Sequence, residues 1–335
     1  MRRIPFGGIA LVGAGILAAL VFYAAVTPSG DFLFVPNKAS PAAPKIKVEG
    51  HPDADQKGGI YFVDVIQREA RWLERIFPFL RPDGSTIVPG QAVAPHGESF
   101  AQRRAESRAQ MQRSELIASA VALKAAGMDV KVVDRGVLVA AVALDVPAAK
   151  VIRAGDVLVE AGGKPVKTPE DLRAAVNTVE PGESIELRIR RGGKDLTEVV
   201  KTVRAPDDGR TLIGISPEQD ADITLPVEVD INLGDVGGPS AGLPFALEVL
   251  QELGQNVDRG YRVAATGEIL LDGTVAPVGG LKQKTIGVKK AGADFFLVPA
   301  GDNATQARRY AGTLRVIGVE NFQQALRVLR TLPAK

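Results

Sequence analysis

The 335-residue sequence has no cysteine, two histidines and one tryptophan. Without cysteine there is no disulfide, no thiol nucleophile and no thiolate metal site. His51 and His96 are scattered, too few for a histidine metal cluster, and both read as loop or surface residues. Neither falls in the stretch that looks catalytic, so no histidine triad is expected. An excess of one charge is missing too: 41 Lys and Arg against 39 Asp and Glu give a net +2, no electrostatic case for nucleic acid. A Walker phosphate loop is also lacking. Gly163-Lys164-Pro165 and Gly193-Lys194-Asp195 have neither a hydroxyl residue after the lysine nor the upstream glycine. No metal or cofactor is expected. The 45% apolar and 24% charged content is ordinary for globular protein, and the length allows two or three domains.

Near the N-terminus, Arg2 and Arg3 precede an uncharged run from Ile4 to Val26, long enough to span a bilayer as a helix. Cations before the span and none after it until Lys38 predict a cytoplasmic N-terminus, with everything after about residue 27 outside. A cleaved signal peptide is the rival, but Ala24-Ala25-Val26 is a poor cleavage site. Residues 1–26 therefore read as a transmembrane anchor, and the Pro- and Ser-rich residues 27–59 as a tether with one or two short strands. Residues 60–128 have no clear role. They hold a strand at Ile60–Ile66, an amphipathic helix at Glu69–Leu80 and a long helix at Phe100–Ala126. The helix at Glu69–Leu80 puts Trp72, Leu73, Ile76 and Phe77 on one side, for packing on the protein body or against a membrane surface.

The stretch that draws attention is Asp235-Val236-Gly237-Gly238-Pro239-Ser240-Ala241-Gly242. Leu243, Leu247 and Leu250 follow at helical spacing, so a glycine-rich turn delivers Ser240 to the start of a helix with a buried side. Backbone N–H groups and the positive end of the helix dipole would favour a nucleophile whose reaction builds negative charge there. About forty residues on, at roughly 100° per residue, Leu281, Lys284, Thr285, Val288 and Ala291 share one helix face. Lys282, Gln283, Lys289 and Lys290 fall on or near the other. Lys284 alone points with the apolar residues, and burial lowers an amine's pKa so that it can act as a base. A structural alternative pairs Lys284 with Glu268, and a plain helix cap remains the alternative for Ser240.

"GGPSAG" with Ser240, "TGEI" from Thr266, "DGTVAPVGGLKQK" with Lys284 and "FFLVP" at 295–299 together resemble the Lon proteolytic domain, across about residues 210–335. The resemblance implies Ser240 as nucleophile, Lys284 as general base and Thr266 as a hydroxyl orienting the lysine. It implies an oxyanion loop at Gly238, Pro239 and Ala241. Many Lon proteases have an acid immediately before the "GPS" tripeptide; this sequence has Gly237. Upstream, "GVLV", "PAAKVIRAGDVLVEAGGKPV" and "TPEDLRAAV" resemble a bacterial PDZ domain. That implies an extended peptide added along Gly136, Val137, Leu138 and Val139. The alternative is a module that only spaces or assembles the protease.

The fold expected is thus α+β and multidomain: a transmembrane helix, a PDZ-like β-rich module at 129–204 and a Lon-type α/β proteolytic domain at 205–335. The whole resembles bacterial membrane-anchored, PDZ-containing Lon-like proteases. Such a protein implies an ATP-independent serine endopeptidase acting on proteins or peptides, with a ring of six subunits. The rivals are a non-catalytic membrane PDZ adaptor and a nucleotide-binding kinase resembling the GHMP family, whose glycine-rich turn cradles phosphate.

Overall fold

The computed structural model describes residues 6–51, 58–93, 100–143, 145–205, 209–234, 236–333 and 335. Asp235, His96 and residues 206–208 lie outside them. The chain forms two compact units, Met1–Met128 with Val227–Lys335, and Asp129–Pro226. The first is therefore discontinuous in sequence, and the second is inserted between the long helix and the serine loop.

In the first unit a five-stranded sheet runs in the order Ser40–Pro41, Gly59–Phe62, Arg262–Ala265, Phe295–Pro299, Arg315–Val319. Its last four strands are parallel. Every residue of Phe295–Pro299 is buried, as a parallel strand covered on both faces requires. The long helix, Phe100–Ala125, packs on the serine helix, Gly242–Glu252, and Phe62 meets Phe245 edge to face at 5.9 Å. All eleven residues of the serine helix are buried, so it has no solvent face, contrary to the one-sided burial expected. The lysine helix is Leu281–Ala291, followed by helices Asp302–Ala311 and Phe322–Arg330.

Several expectations are corrected by pairings between distant segments. Residues 27–51 are no tether. Pro28–Pro36 is the central strand of a three-stranded antiparallel sheet with Val65–Arg71 and Thr86–Val88, and Ile46–Val48 pairs with Val229–Ile231. The predicted strand Ile60–Ile66 is two strands, Gly59–Phe62 and Val65–Arg71, with a corner at Val63-Asp64. Glu69–Arg71 is strand rather than helix. Trp72–Ile76 is a short helix whose Trp72, Ile76 and Phe77 side are exposed rather than packed on the body. The strand Arg262–Ala265 ends where the Thr266 and Gly267 N–H groups turn to the Leu297 and Ser240 carbonyls.

A helix from Phe6 to Val26 stands where the transmembrane segment was expected, and Leu17, Leu20, Phe22 and Tyr23 on it are exposed. Among the described residues no helix is long and apolar enough to cross a membrane; the described side chains of this helix begin at Leu11.

The second unit is a β-rich module whose main sheet runs Lys194–Lys201, Ser184–Arg191, Val157–Ala161, Lys131–Val142, Ile215–Thr224. Its helix is Pro169–Val176. Thr168 Oγ1 accepts from the Asp171 amide at 3.1 Å and Asp171 caps back, with Pro169 in the first turn. The last strand, Ile215–Thr224, lies along the very strand predicted to receive a peptide.

Candidate active site

The serine loop leads into its helix through one 3-10 turn, Pro239–Ala241, and Ser240 sits in that turn. The turn is held from two sides. Ser114 Oγ of the long helix donates to the Pro239 carbonyl at 3.1 Å, and the Ser240 carbonyl accepts from the Gly267 amide at 2.9 Å. On the long helix Ser107 lies against Gly237. A Cβ on Gly237 would come within 2.5 Å of Ser107 Oγ, so a side chain here, such as the acid of many Lon proteases, requires Ser107 to shift.

Lys284 is 4% exposed. Its amine donates to Thr266 Oγ1 at 2.9 Å, and that hydroxyl donates to the Ser240 carbonyl at 3.0 Å. Ser240, Thr266 and Lys284 are thereby tied together, although Thr266 follows the end of a strand, Ser240 sits in the turn before one helix and Lys284 on another. Burial brings the Lys284 amine down from 10.5 to about 8, while the negative charge of Asp64 works the other way. Among the described residues no carboxylate lies within ion-pair distance of Lys284. The acid that acts on it is Asp64 rather than Glu268.

Lys284 and Ser240 line one pocket of about 770 Å³, together with Asp64, Arg108, Phe62 and Met111. The sequence reading did not single out Asp64. Its signal was a carboxylate interrupting the apolar run Ile60–Ile66. Asn37 Nδ2 donates to both Asp64 oxygens, at 2.9 and 3.1 Å. The segment carrying Asn37 is pressed onto the lysine helix, where a Cβ on Gly287 would lie 1.8 Å from the Asn37 carbonyl oxygen.

Other predicted residues fare differently. The Gly238 amide donates to the Ser107 carbonyl at 2.9 Å, and Pro239 has no N–H, so neither offers an oxyanion donor in this arrangement. Ala241 is buried beside Ser240. On the lysine helix, Gln283 is buried rather than solvated and donates to Thr86 Oγ1 at 2.9 Å, because the Thr86–Val88 strand covers that side. Lys282 is half-buried and reaches Ser85 and Thr86, while Lys289 and Lys290 are exposed as expected. His51 is exposed.

In the second unit the expected peptide edge is occupied by the chain itself. Gly136, Val137, Leu138 and Val139 pair with Asp220, Gln219, Glu218 and Pro217 of Ile215–Thr224, and Val157–Ala161 lies on the other side of that strand. Both edges of the strand are paired here, so addition of a further strand is blocked.

Residues 125–202 match the PDZ domain family, and residues 218–330 match the Lon protease (S16) C-terminal proteolytic domain. The chain is 28% identical over 152 residues to Lon protease of Phenylobacterium zucineum, covering 44% of this chain and 19% of that protein. It is 36% identical over 118 residues to the mitochondrial Lon protease homolog of Rattus norvegicus, covering 33% of this chain and 12% of that protein. It thus spans less than a fifth of the length of these relatives. A solved PDZ domain of the SdrC-like protein from Listeria monocytogenes is 30% identical, covering 26% of this chain and 92% of that one, with a TM-score of 0.25. A serine loop, a buried lysine and a hydroxyl between them lie within the region that matches the Lon protease (S16) C-terminal proteolytic domain.

Proposed function

We propose that the protein is a membrane-anchored, ATP-independent serine endopeptidase using Ser240 and Lys284. The observation that carries this reading is the buried Lys284 amine, bonded to Thr266 and lining one pocket with Ser240. Neutral Lys284 takes the proton from Ser240 Oγ as that oxygen bonds to the carbonyl carbon of a peptide. Backbone N–H groups at the start of the serine helix, that of Ser240 among them, stabilise the oxyanion. The lysine ammonium then passes its proton to the leaving amine as the C–N bond breaks. Water, deprotonated by the same lysine, hydrolyses the ester and restores Ser240.

The anchor is the helix Phe6–Val26, about 31 Å long at 1.5 Å per residue, which suits the hydrocarbon core of a bilayer. Arg2 and Arg3 before it support a cell-membrane location with the folded units outside the cytoplasm. By likeness to Lon, the active form is a homo-oligomer, a ring of six. The deciding experiment uses full-length protein and an unfolded protein substrate without nucleotide, comparing wild type with Ser240→Ala and Lys284→Ala. Cleavage by wild type alone is expected. Equal cleavage by all three refutes the dyad, and a requirement for ATP refutes the ATP-independent reading.

A further inference from the structure

The catalytic site has no use for one exposed surface, the excursion at residues 72–80. Trp72, Ile76, Phe77, Phe79 and Leu80 all face outward there, Phe79 being 80% and Ile76 58% exposed. Scattered exposed apolar side chains are normal on proteins, but a run of large ones in so short a segment marks a surface that something covers. The excursion is held in shape. Arg68 forks onto Glu74, the Glu74 carboxylate caps the Arg71 amide at 3.0 Å, and Arg81 Nε donates to the Glu74 carbonyl at 2.6 Å. The Phe77 and Phe79 rings meet tilted at 58° with centroids 5.7 Å apart, and the Arg75 guanidinium lies over the Trp72 ring at 5.3 Å.

Its position indicates the partner. The Trp72 amide donates to the Thr27 carbonyl at 3.2 Å, and Arg71 Nη1 donates to the Ala25 carbonyl at 3.1 Å. The patch is therefore fastened to the base of the first helix, which packs on Trp72–Ile76 and itself exposes Phe22 and Tyr23. Tryptophan and tyrosine with arginine beside them suit the headgroup level, where rings meet acyl chains and guanidinium groups meet phosphates.

We propose that residues 72–80 are immersed in the interfacial layer of a lipid bilayer, at the foot of the helix Phe6–Val26; this rests on the anchor reading above. The excursion then fixes the tilt and height of the proteolytic unit over the membrane, which a single flexible helix would not.

Trp72 is the sole tryptophan of the chain, so it reports on its own environment. The test reconstitutes full-length protein in phosphatidylcholine–phosphatidylglycerol vesicles whose acyl chains carry bromine either near the headgroup or near the chain end. Loss of Trp72 emission with the shallow bromines, little with the deep ones and protection from acrylamide are expected. The double substitution Ile76→Ser and Phe79→Ser should weaken the shallow quenching while the peptidase rate stays unchanged. Protein that floats with the vesicles but whose Trp72 ignores both bromine positions and is quenched by acrylamide overturns the inference and leaves the anchor standing. Trp72 protected from bromine and acrylamide alike assigns the patch to a second copy of the chain and overturns it too. Failure to float with vesicles overturns the anchor reading itself.

Discussion

Thr266 accepts a hydrogen bond from the Lys284 amine at 2.9 Å and spends its own hydroxyl hydrogen on the Ser240 carbonyl at 3.0 Å. A hydroxyl has a single hydrogen, so Thr266 can only accept from Nζ. A neutral Lys284 thus uses one N–H on Thr266 and keeps its lone pair free of that bond. Thr266→Val keeps the shape but removes both bonds. We expect kcat to fall by about 10²-fold, in the range for losing the positioning of a general base, with the fold intact by circular dichroism. A variant with wild-type kcat would remove Thr266 from the mechanism.

The pH dependence follows from two opposed influences on Lys284. Burial favours its neutral form and sets its pKa at about 8, and the Asp64 charge favours the ammonium. Since the base must be neutral, kcat/KM should rise with pH through about 8. Asp64→Asn removes the charge that holds the proton, so the rising limb should move to lower pH. A limb that stays in place, or moves to higher pH, contradicts a direct influence of Asp64 on the lysine.

Burial of the amine also costs stability. Its folded pKa is below the usual lysine value, so the unfolded chain binds the proton more readily at neutral pH, and stability increases as pH rises from about 8 towards the unfolded value. Lys284→Met should abolish cleavage yet raise stability at pH 7 by about 1–3 kcal/mol. That gain should shrink as pH climbs past 9. Urea unfolding at several pH values checks it, and a destabilised variant at pH 7 would contradict the account.

Gly237 and Gly287 are places where a side chain has no room. Gly237→Asp restores the acid found in many Lon proteases but drives it into Ser107, within 2.5 Å of its hydroxyl. Activity should drop, and Ser107→Gly in the same chain should recover part of it. Gly287→Ala meets the Asn37 carbonyl, which is backbone and cannot swing aside. It should lower the melting temperature by several degrees, about 2–4 °C for each kcal/mol lost in a domain of roughly 150–250 residues. Thermal unfolding followed by calorimetry measures it.

In the PDZ unit, Ile215–Thr224 already pairs with Lys131–Val142 in ten register positions. C-terminal peptides added to the intact chain should therefore fail to bind this edge. Fluorescence anisotropy with labelled peptides tests that, and saturable binding abolished by changes at Val137 or Val139 would contradict it.

Local pattern was enough for much of this. The apolar face of the lysine helix singled out Lys284, because helical periodicity depends on residues a few positions apart. The ordered "GGPSAG", "TGEI" and "GGLKQK" segments placed Ser240, Thr266 and Lys284 in one kind of site before any distance was known. Tertiary structure alone decided the rest. Asn37 meets Asp64 across 27 positions, Ser114 reaches Pro239 across 125, and residues 215–224 return to close the strand at 131–142. Periodicity says which face of an element is apolar, but which distant segment covers that face depends on the packing of the whole chain.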